Sequence, residues 1–387
     1  MFKTRPAILF VVLMGTVSLF ADVTYEGARS ITGPYLAVLG ANAAVVGFVA
    51  GAGELIGYGF RLISGYWSDR TGRYWFFTIL GYMINLLAVP ALALTGNWKI
   101  AAVLIMSERM GKAIRTPARD AMLSHAVHQM GSGWGFGLHE AMDQIGAMLG
   151  PLAVTLVLVL RGSYRDGFAI LLLPAFLALT VLFTAQRLYP KPHDLEISIP
   201  HLETKNFSSA FWLYVIAASL IAAGYADFPL IAFHFEKVRS VPTIWIPIFY
   251  AVAMGVDALA ALLFGKSFDR WGISVLVLAA SLSLFFAPLV FWGGFWPAMI
   301  GMALWGVGMG AHESVMRAAV SRMIQSQKRG TAFGVFNASY GVFWFLGSVA
   351  MGFFYDHSVA YVVMFSVGLQ LMAIPLLLKV ASGGKRS

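Results

Sequence analysis

The sequence predicts an all-α membrane protein with about twelve transmembrane helices in two pseudo-symmetric six-helix bundles. Of its 387 residues, 59% are hydrophobic and only 12% are charged, whereas a soluble domain carries about 25% charged residues. So little charge cannot cover the surface of a globule of this size, and the composition therefore excludes a water-soluble protein. A helix needs roughly 20 apolar residues to cross a bilayer, and at about 30 residues for each span with its loop the chain has room for about twelve crossings.

Apolar stretches between charged, glycine and proline residues predict where these helices lie. The predicted spans are 7–34, 43–66, 74–95, 100–125, 133–160, 166–187, 209–234, 243–265, 273–292, 296–321, 330–355 and 358–379. The one long polar interruption covers residues 188–206 and contains three prolines, a composition typical of an exposed connector. The sequence therefore predicts one bundle over residues 1–187 and a second over residues 207–387.

Lysine and arginine residues in the predicted loops indicate the orientation. With the N-terminus inside, 15 of them fall in inner loops and 5 in outer loops. Because inner loops carry the excess of positive charge, we expect both termini and the connector in the cytoplasm and the protein in the cytoplasmic membrane. Lys3 and Arg5 precede the first apolar run, and no small-residue cleavage site follows, so we expect this run to remain as the first transmembrane helix.

Several other classes of protein are excluded or disfavoured by features that the sequence lacks. The absence of cysteine excludes disulfides, thiolate metal sites and a cysteine nucleophile. The net charge of +9 is not gathered in a basic run with interleaved aromatic residues, so no nucleic-acid partner is expected. No G-x-x-x-x-G-K-[ST] phosphate loop occurs, and His139-Glu140-x-x-Asp143 lacks the second histidine of a zinc-binding helix. We expect no cofactor, no metal and no enzyme, and keep a membrane-embedded enzyme or a receptor as minor alternatives.

A short motif that recurs after 200 residues predicts an internal repeat. Its first copy follows the second span and its second copy follows the eighth span. The four shared positions are Gly65, Asp69, Arg70 and Gly72 in the first copy, and Gly265, Asp269, Arg270 and Gly272 in the second. Two six-helix halves related by a parallel repeat are typical of a transporter rather than a channel.

The first copy resembles the loop signature of the major facilitator superfamily, G-x-x-x-D-R-x-G-R-[RK]. Arg73 extends the match, and Tyr74 replaces the final basic residue. The resemblance covers essentially the whole chain and implies the fold of that family and secondary active transport by alternating access. On the tight turn that Gly72 permits, we expect Asp69 and Arg70 to pair with neighbouring spans when the inner mouth is closed. The motif then acts as a gate; a solvated loop that only sets topology is the alternative.

A second stretch is similar to the antiporter motif that this family carries in helix five. Its spacing is matched by Gly137, Gly146, Gly150 and Pro151. Val154 and Thr155 replace the final Gly-Gly of the motif. The motif marks proton-coupled exporters, so the resemblance favours proton-coupled efflux of a drug or metabolite; proton-coupled uptake of a small organic metabolite is the alternative. These glycines and the proline also allow span five to approach its neighbours closely and to bend.

Ionisable residues within the predicted spans are the candidates for function. They are costly at bilayer depth and usually functional, and on three spans they recur at steps of three or four residues, so each set shares one helical face. The first half contains Asp22, Glu26 and Arg29 on span one, Glu54, Tyr58 and Arg61 on span two, Glu108, Lys112, Arg115 and Arg119 on span four, and His139, Glu140 and Asp143 on span five. The second half contains Asp227, Asp257, His312, Glu313 and Arg317. We expect these residues to face an interior cavity or one another.

These residues lead to a hypothesis for proton coupling and substrate binding. Asp22, Glu26 and Asp227 carry the coupling proton, because burial and a nearby cation change the proton affinity of a carboxylate in opposite directions. Arg29 or Arg61 is the alternating partner. The substrate cavity is lined by Arg29, Glu54, Tyr58, Arg61, Lys112, Arg115, Glu140, Asp143 and Glu313. Internal ion pairs that only tie helices together are the alternative. The acidic and basic residues within the predicted helices nearly balance, so the sequence does not indicate the charge of the small-molecule substrate. We expect a monomer whose partners are this substrate, protons and the lipid bilayer.

Overall fold

The computed structural model describes residues 4–128, 132–190, 207–323 and 329–383, and helices occupy all twelve stretches predicted as spans. These described residues contain no β-strand. Ten helical segments among them are long and apolar enough to cross a membrane. The prediction of an all-α, multi-pass membrane protein is therefore confirmed.

In the described parts of the chain, four of the twelve spans are built from two shorter α-helices. The first half contains α1 (Thr4–Val38), α2 (Ala43–Thr71), α3 (Tyr74–Ala91), α4 (Trp98–His128), α5 (Ser132–Arg161), α6 (Tyr164–Ile170) and α7 (Leu172–Leu188). The second half contains α8 (Ser209–Gly224), α9 (Phe228–Val238), α10 (Ile246–Trp271), α11 (Ser274–Ser283), α12 (Phe286–Trp292), α13 (Phe295–Ala311), α14 (Arg317–Met323), α15 (Arg329–His357) and α16 (Val359–Gly383). A π-helical turn, His312–Met316, joins α13 to α14.

The fourth span, α4, is long enough to cross a bilayer but is unusually polar. It has 31 residues, and its charged side chains are Lys99, Glu108, Arg109, Lys112, Arg115, Arg119 and Asp120. Charged groups cannot face lipid at this depth without a large free-energy cost. The rest of the first half must therefore cover the polar stripe of α4.

The chain divides into two compact units. Unit 1 comprises Met1–Tyr35 and Ile56–Ile199, and unit 2 comprises Leu36–Leu55 and Pro200–Ser387. The first part of α2 thus groups with the helices of the second half, which the division at residues 188–206 does not anticipate.

Packing within unit 2 explains why the start of α2 belongs there. A Cβ added to Gly47 would collide with the Ser348 carbonyl oxygen on α15, so the two backbones touch. The Asp356 carboxylate of α15 accepts hydrogen bonds from the backbone N–H groups of Ala43 (3.1 Å) and Ala44 (3.0 Å). These are two of the donors that the first turn of a helix leaves without an intrahelical partner, so α15 supplies the N-terminal cap of α2.

Paired glycines bring the helices of unit 1 together. A Cβ added to Gly81 on α3 would lie 2.6 Å from the carbonyl oxygen of Gly111 on α4. On α5, a Cβ added to Gly146 would collide with the Leu19 carbonyl oxygen, and one added to Gly150 with the Val23 carbonyl oxygen, both on α1. Small residues of this kind let membrane helices approach until their backbones are in contact. Polar side chains on α1, α3, α4 and α5 can therefore reach one another.

The repeated motif closes α2 and α10 in the same way. Gly72 has φ +64° and Gly272 has φ +56°, a left-handed conformation that favours glycine at the end of a helix. Their backbone N–H groups donate to the carbonyl oxygens of Ser68 (2.9 Å) and Phe268 (2.8 Å). Because one left-handed residue is enough to end α2, the helix continues to Thr71, and Asp69 and Arg70 lie on its last turn rather than in the loop.

We expect Gly150→Ala to lower the stability of the protein by about 1–3 kcal/mol, because the added methyl group forces α5 away from α1. Gly57→Ala is the matched control, since an added Cβ at this helical glycine meets nothing within 4 Å; it should leave stability unchanged or raise it by up to about 1 kcal/mol. Thermal unfolding in detergent, followed by tryptophan fluorescence, measures both. An equal Tm for the two variants would contradict the close contact between α1 and α5.

Candidate functional site

Two of the three cations on α4 that reach α1 and α3 lie against aromatic rings. The Lys112 ammonium donates to the Tyr25 hydroxyl and lies 3.7 Å from the centre of the Tyr25 ring. The Arg115 guanidinium carbon lies 4.1 Å from the centre of the Tyr82 ring. Cations are attracted to the faces of aromatic rings, most strongly where water is excluded. The polar stripe of α4 is thus covered by unit 1.

Arg115 is the most deeply buried of these cations. It is 1% exposed, and its Nε and Nη1 atoms have no hydrogen-bond partner among the described residues. Arg119, one turn further along, is held more completely. Its Nε and Nη2 atoms contact the Asp120 carboxylate at 2.9 and 2.8 Å, and its Nη1 atom donates to Ser18 Oγ at 3.1 Å.

A buried carboxylate at the other end of the stripe joins α4 to α3. Asn85 Nδ2 donates to Glu108 Oε1 at 2.8 Å and to the Glu108 carbonyl oxygen at 3.1 Å. Arg109 Nε lies 3.3 Å from Glu108 Oε2. Hydrogen bonds to a charged group are stronger than those between neutral groups. Two neighbours thus contact the Glu108 carboxylate, and one of them, Asn85, links it to α3.

The candidate proton carriers on α1 lie within this cluster. Asp22 is 8% exposed, and Glu26 is also buried. The charges acting on Asp22 come from the acids Asp143 and Glu26 and from the bases Lys112 and Arg115. The structure therefore brings together five residues that the sequence singled out on three different helices. The charge of Arg29 acts on Glu108.

The candidate residues of α5 complete the cluster in unit 1. His139 Nδ1 lies 3.5 Å from Asp143 Oδ2, and His139 Nε2 lies 3.1 Å from Ser18 Oγ on α1. Asp143 Oδ1 is buried and has no hydrogen-bond partner among the described residues. Gly146 and Gly150 follow in the same helix and place it against α1, and Pro151 lies next to them within α5.

The candidates on α2 are divided between the two units. Glu54 belongs to unit 2, whereas Tyr58 and Arg61 belong to unit 1. The Arg61 guanidinium carbon lies 5.5 Å from the centre of the Tyr58 ring. All three side chains are half-buried.

Asp227 lies where the seventh span is broken. Helix α8 ends at Gly224 and α9 begins at Phe228, and Asp227 is 2% exposed. Backbone groups released by such a break need partners inside the protein. The Ser366 hydroxyl donates to the Gly224 carbonyl oxygen at 2.6 Å, and Trp305 Nε1 donates to the Ala226 carbonyl oxygen at 2.9 Å. Side chains of unit 2 therefore stabilise the irregular backbone beside Asp227.

The motif at the end of α2 makes its contacts close by in the chain. The Tyr74 hydroxyl donates to Asp69 Oδ1 at 3.2 Å, and Arg70 Nη1 donates to the Tyr66 hydroxyl at 3.0 Å. Tyr74 is the residue that departs from the family signature, and it contributes a hydrogen-bond donor in place of a cation. Asp69, Arg70, Arg73 and Arg270 are exposed.

Some candidates lie at or beyond the limits of what the structure describes. Gly137 lies within α5. The side chains of Glu140, Asp269 and Glu313 lie outside the described residues. Among the described residues, no group of three or more histidine, aspartate or glutamate side chains could hold a metal ion.

Several contacting residues were not singled out from the sequence. They are Ser18, Tyr25, Tyr82, Asn85 and Asp120. A signal for most of them exists, because Ser18 stands four residues before Asp22 and extends its stripe. On α3, Thr78, Tyr82 and Asn85 recur at steps of four and three, the spacing that places residues on one helical face.

Comparisons with known proteins cover nearly the whole chain. The model of the Major Facilitator Superfamily matches residues 12–348, and a second match covers residues 245–385. An uncharacterized protein of Mycobacterium tuberculosis (strain H37Rv) is 40% identical over 384 residues, which cover 97% of this chain and 94% of the relative. An uncharacterized MFS-type transporter of Methanocaldococcus jannaschii is 27% identical over 382 residues, which cover 95% of this chain and 94% of the relative.

Solved transporter structures are similar in fold. The nucleoside transporter NupG has a TM-score of 0.71 at 13% sequence identity, with 97% of this chain and 98% of NupG covered. The peptide transporter POT in complex with sulfate has a TM-score of 0.74 at 14% identity, with 97% and 94% covered. At this level of identity, the likeness is one of fold alone.

We expect Asn85 and Glu108 to be energetically coupled. Asn85→Ala and Glu108→Ala should each lower the free energy of unfolding, and the double variant should lose less than the sum, by about 1.5–3 kcal/mol for a hydrogen bond to a charged group. Unfolding by SDS in mixed micelles measures the four proteins of the cycle. Asn85→Ala combined with Asp166→Asn, at an exposed position of α6, should be additive. Additivity in the first cycle would contradict a stabilising bond.

Proposed function

This chain belongs to the major facilitator superfamily, and from this premise we propose that it exports a small solute in exchange for protons. Membership of this family makes it a multi-pass membrane protein and a secondary transporter rather than an enzyme. Proton coupling, the direction of transport and the residues involved are the proposal.

The buried cluster around Asp22 carries the proposal. With Asp22, Glu26 and Asp143 ionised, these three acids exceed by one the two bases that act on Asp22, Lys112 and Arg115. Arg119, which also acts on Asp143, is balanced by Asp120. Because uncompensated charge is costly at membrane depth, one proton bound by the cluster makes it neutral. A group that gains stability from one proton, and that joins α1, α4 and α5, has the properties required for coupling. Asp227, at the break of the seventh span, is the proposed proton carrier of unit 2.

The cavity proposed for the substrate uses the same region of unit 1 and the polar residues of α2. Four half-buried side chains offer hydrogen-bond donors to a polar solute: Arg29, Tyr58, Arg61 and Lys112. The Tyr58 ring, which faces the Arg61 cation, adds an aromatic surface. Glu54, Glu140 and Glu313 are proposed to contribute acids to it. A cavity with both signs of charge suits a solute that carries polar groups of both kinds.

Direction and orientation rest on sequence patterns. The helix-five motif supports export over uptake, and the distribution of lysine and arginine supports cytoplasmic termini in the cytoplasmic membrane. The two motifs, at Gly65 to Arg73 and at Gly265 to Gly272, are proposed to gate the cytoplasmic side during alternating access. We propose that the bundles over residues 1–187 and 207–387 carry out this movement, with residues 188–206 as their connector.

Transport in proteoliposomes tests the coupling and its direction. A solute screen by thermal shift first identifies a small molecule that raises the Tm of the purified protein. That solute is then added outside liposomes that contain the protein and a pH-sensitive dye. Because an antiporter releases protons from the lumen as solute enters, we expect the internal pH to rise. A falling internal pH would establish symport instead, and a constant pH during solute entry would contradict proton coupling.

Asp22→Asn should separate solute movement from proton movement. The variant keeps the size of the side chain but cannot exchange a proton, so the solute-driven pH change should fall by at least about tenfold. Exchange of labelled for unlabelled solute at equal pH requires no net proton movement and should continue. Asp166→Asn, at an exposed position, is the control and should leave both rates unchanged. A normal pH change in Asp22→Asn would contradict its role.

A further inference from the structure

A chain of polar side chains connects four helices of unit 1 through Ser18. Its Oγ atom lies 3.1 Å from His139 Nε2 on α5 and 3.5 Å from the Tyr82 hydroxyl on α3. Arg119 on α4 donates to the same oxygen at 3.1 Å. On the other side of the imidazole ring, His139 Nδ1 lies 3.5 Å from Asp143 Oδ2.

The order Ser18, His139, Asp143 is that of a hydrolytic triad, but the surroundings of the serine exclude that use. Ser18 is fully buried, with 0% exposure. A nucleophile must reach an external substrate and become more electron-rich when its base takes the proton. Here one lone pair of the oxygen is already occupied by the hydrogen bond from the Arg119 cation, which makes the oxygen a weaker nucleophile. The chain is instead suited to holding a proton.

Before a proton is added, the hydrogen-bond partners of Ser18 and His139 indicate where their hydrogen atoms lie. Ser18 Oγ accepts from Arg119 and has one proton to donate, which His139 Nε2 accepts when the ring keeps its own proton on Nδ1. The Asp143 carboxylate is a second acceptor for the same hydroxyl. The remaining ring proton then sits on Nδ1 and faces the Asp143 carboxylate. In this state the imidazole is neutral and the carboxylate is an anion.

One added proton changes this arrangement at a single bond. A proton from water forms an N–H bond at His139 Nε2, and the ring becomes an imidazolium beside the Asp143 anion. Ser18 Oγ now accepts from His139 as well as from Arg119. Its own proton turns away from the ring, towards the Asp143 carboxylate, which also hydrogen-bonds to Ser18, or towards the Tyr82 hydroxyl oxygen at 3.5 Å. Release breaks the covalent Nε2–H bond and returns the proton to water. No other covalent bond is formed or broken.

The charges around the pair permit this exchange. Asp143 is acted on by the bases Arg119, Arg115 and Lys112 and by the neighbouring acid Asp22. The charge of Arg119 is itself balanced by Asp120, with 2.8 Å between Nη2 and Oδ1. Asp143 Oδ1 accepts no hydrogen bond from the described residues, and a buried anion with an unsatisfied oxygen is stabilised by an adjacent cation. An imidazolium at His139 supplies that cation.

We propose that His139 and Asp143 together hold a transported proton. Ser18 positions the imidazole, and its hydrogen bonds to α3 and α4 change when the imidazole is protonated. The inference rests on the proposed proton coupling and adds two proton-holding residues to it. The serine hydrogen bond changes direction when the proton arrives, so loading alters the contacts among α1, α3, α4 and α5. This gives the proton a structural effect in unit 1.

Infrared difference spectroscopy of the protein in lipid tests the pair without any solute. Spectra recorded between about pH 5 and pH 8 cover the range in which histidine titrates, and labelled histidine identifies the imidazole bands. His139→Gln should remove one of the contributions from the 8 histidines. Asp143→Asn and Ser18→Ala keep His139 and should each shift that contribution. If His139→Gln does not fold, these two variants still decide the question.

Matched controls lie elsewhere in the chain. Ser281 donates to the Val277 carbonyl oxygen in its own helix, so Ser281→Ala should not alter the His139 band. His234 Nδ1 lies 2.9 Å from the Tyr355 hydroxyl in unit 2, so Tyr355→Phe, which removes the partner of another buried histidine, should leave the His139 band unchanged. A His139 band that is identical in wild type, Asp143→Asn and Ser18→Ala would overturn the proposal.

Transport with the solute from the thermal-shift screen separates this inference from the proposed function. In His139→Gln, the solute-driven pH change should fall by at least about tenfold, while solute exchange at equal pH continues. If wild type couples solute to protons and His139→Gln does so equally well, the inference is wrong and the proposed function stands. If wild type moves solute without protons, the proposed function is wrong and the pair holds no transported proton.

Discussion

The polar stripe of α4 is the feature on which unit 1 depends. Hydrocarbon offers no hydrogen bonds and no counter-ions, so each charge on this helix must be satisfied from inside the protein. Tyr25 and Ser18 on α1 contact Lys112 and Arg119, and Tyr82 and Asn85 on α3 contact Arg115 and Glu108. The helices around α4 are therefore arranged by the need to solvate its side chains as well as by apolar packing.

Close approach of the backbones makes this solvation possible. Gly81 and Gly111 allow α3 to touch α4, and Gly146 and Gly150 allow α5 to touch α1. Short side chains such as Ser18 and Asp143 reach across an interface only when the helix axes are near each other. The glycine contacts and the polar contacts consequently depend on one another. Close packing brings the polar groups within reach, and the hydrogen bonds between them stabilise that packing.

The two units solve the problem of polar groups in a membrane differently. Unit 1 places charged residues on regular helices and pairs them across interfaces. Unit 2 has fewer charges in its spans, but its backbone is irregular at Tyr225–Asp227 and at the π-helical turn His312–Met316. At the break of the seventh span, Trp305 and Ser366 donate to the carbonyl groups of Ala226 and Gly224. The Tyr225 ring at this break packs 4.8 Å from the His312 ring of the π-helical turn. Units with such different interiors are suited to different tasks in one transport cycle.

The sequence alone determined the class, the number of spans, the repeat and the identity of most charged residues in the cluster, because hydropathy and helical period are local properties. Tertiary structure decided the partners: Lys112 and Arg115 on α4 act on Asp22 of α1. It also placed the start of α2 in unit 2, and broke the seventh span before Phe228, where Gly224 and Pro229 were the available signals. Contacts of this kind follow from how each helix is rotated and how closely it approaches its neighbours, which spacing along a single helix does not contain.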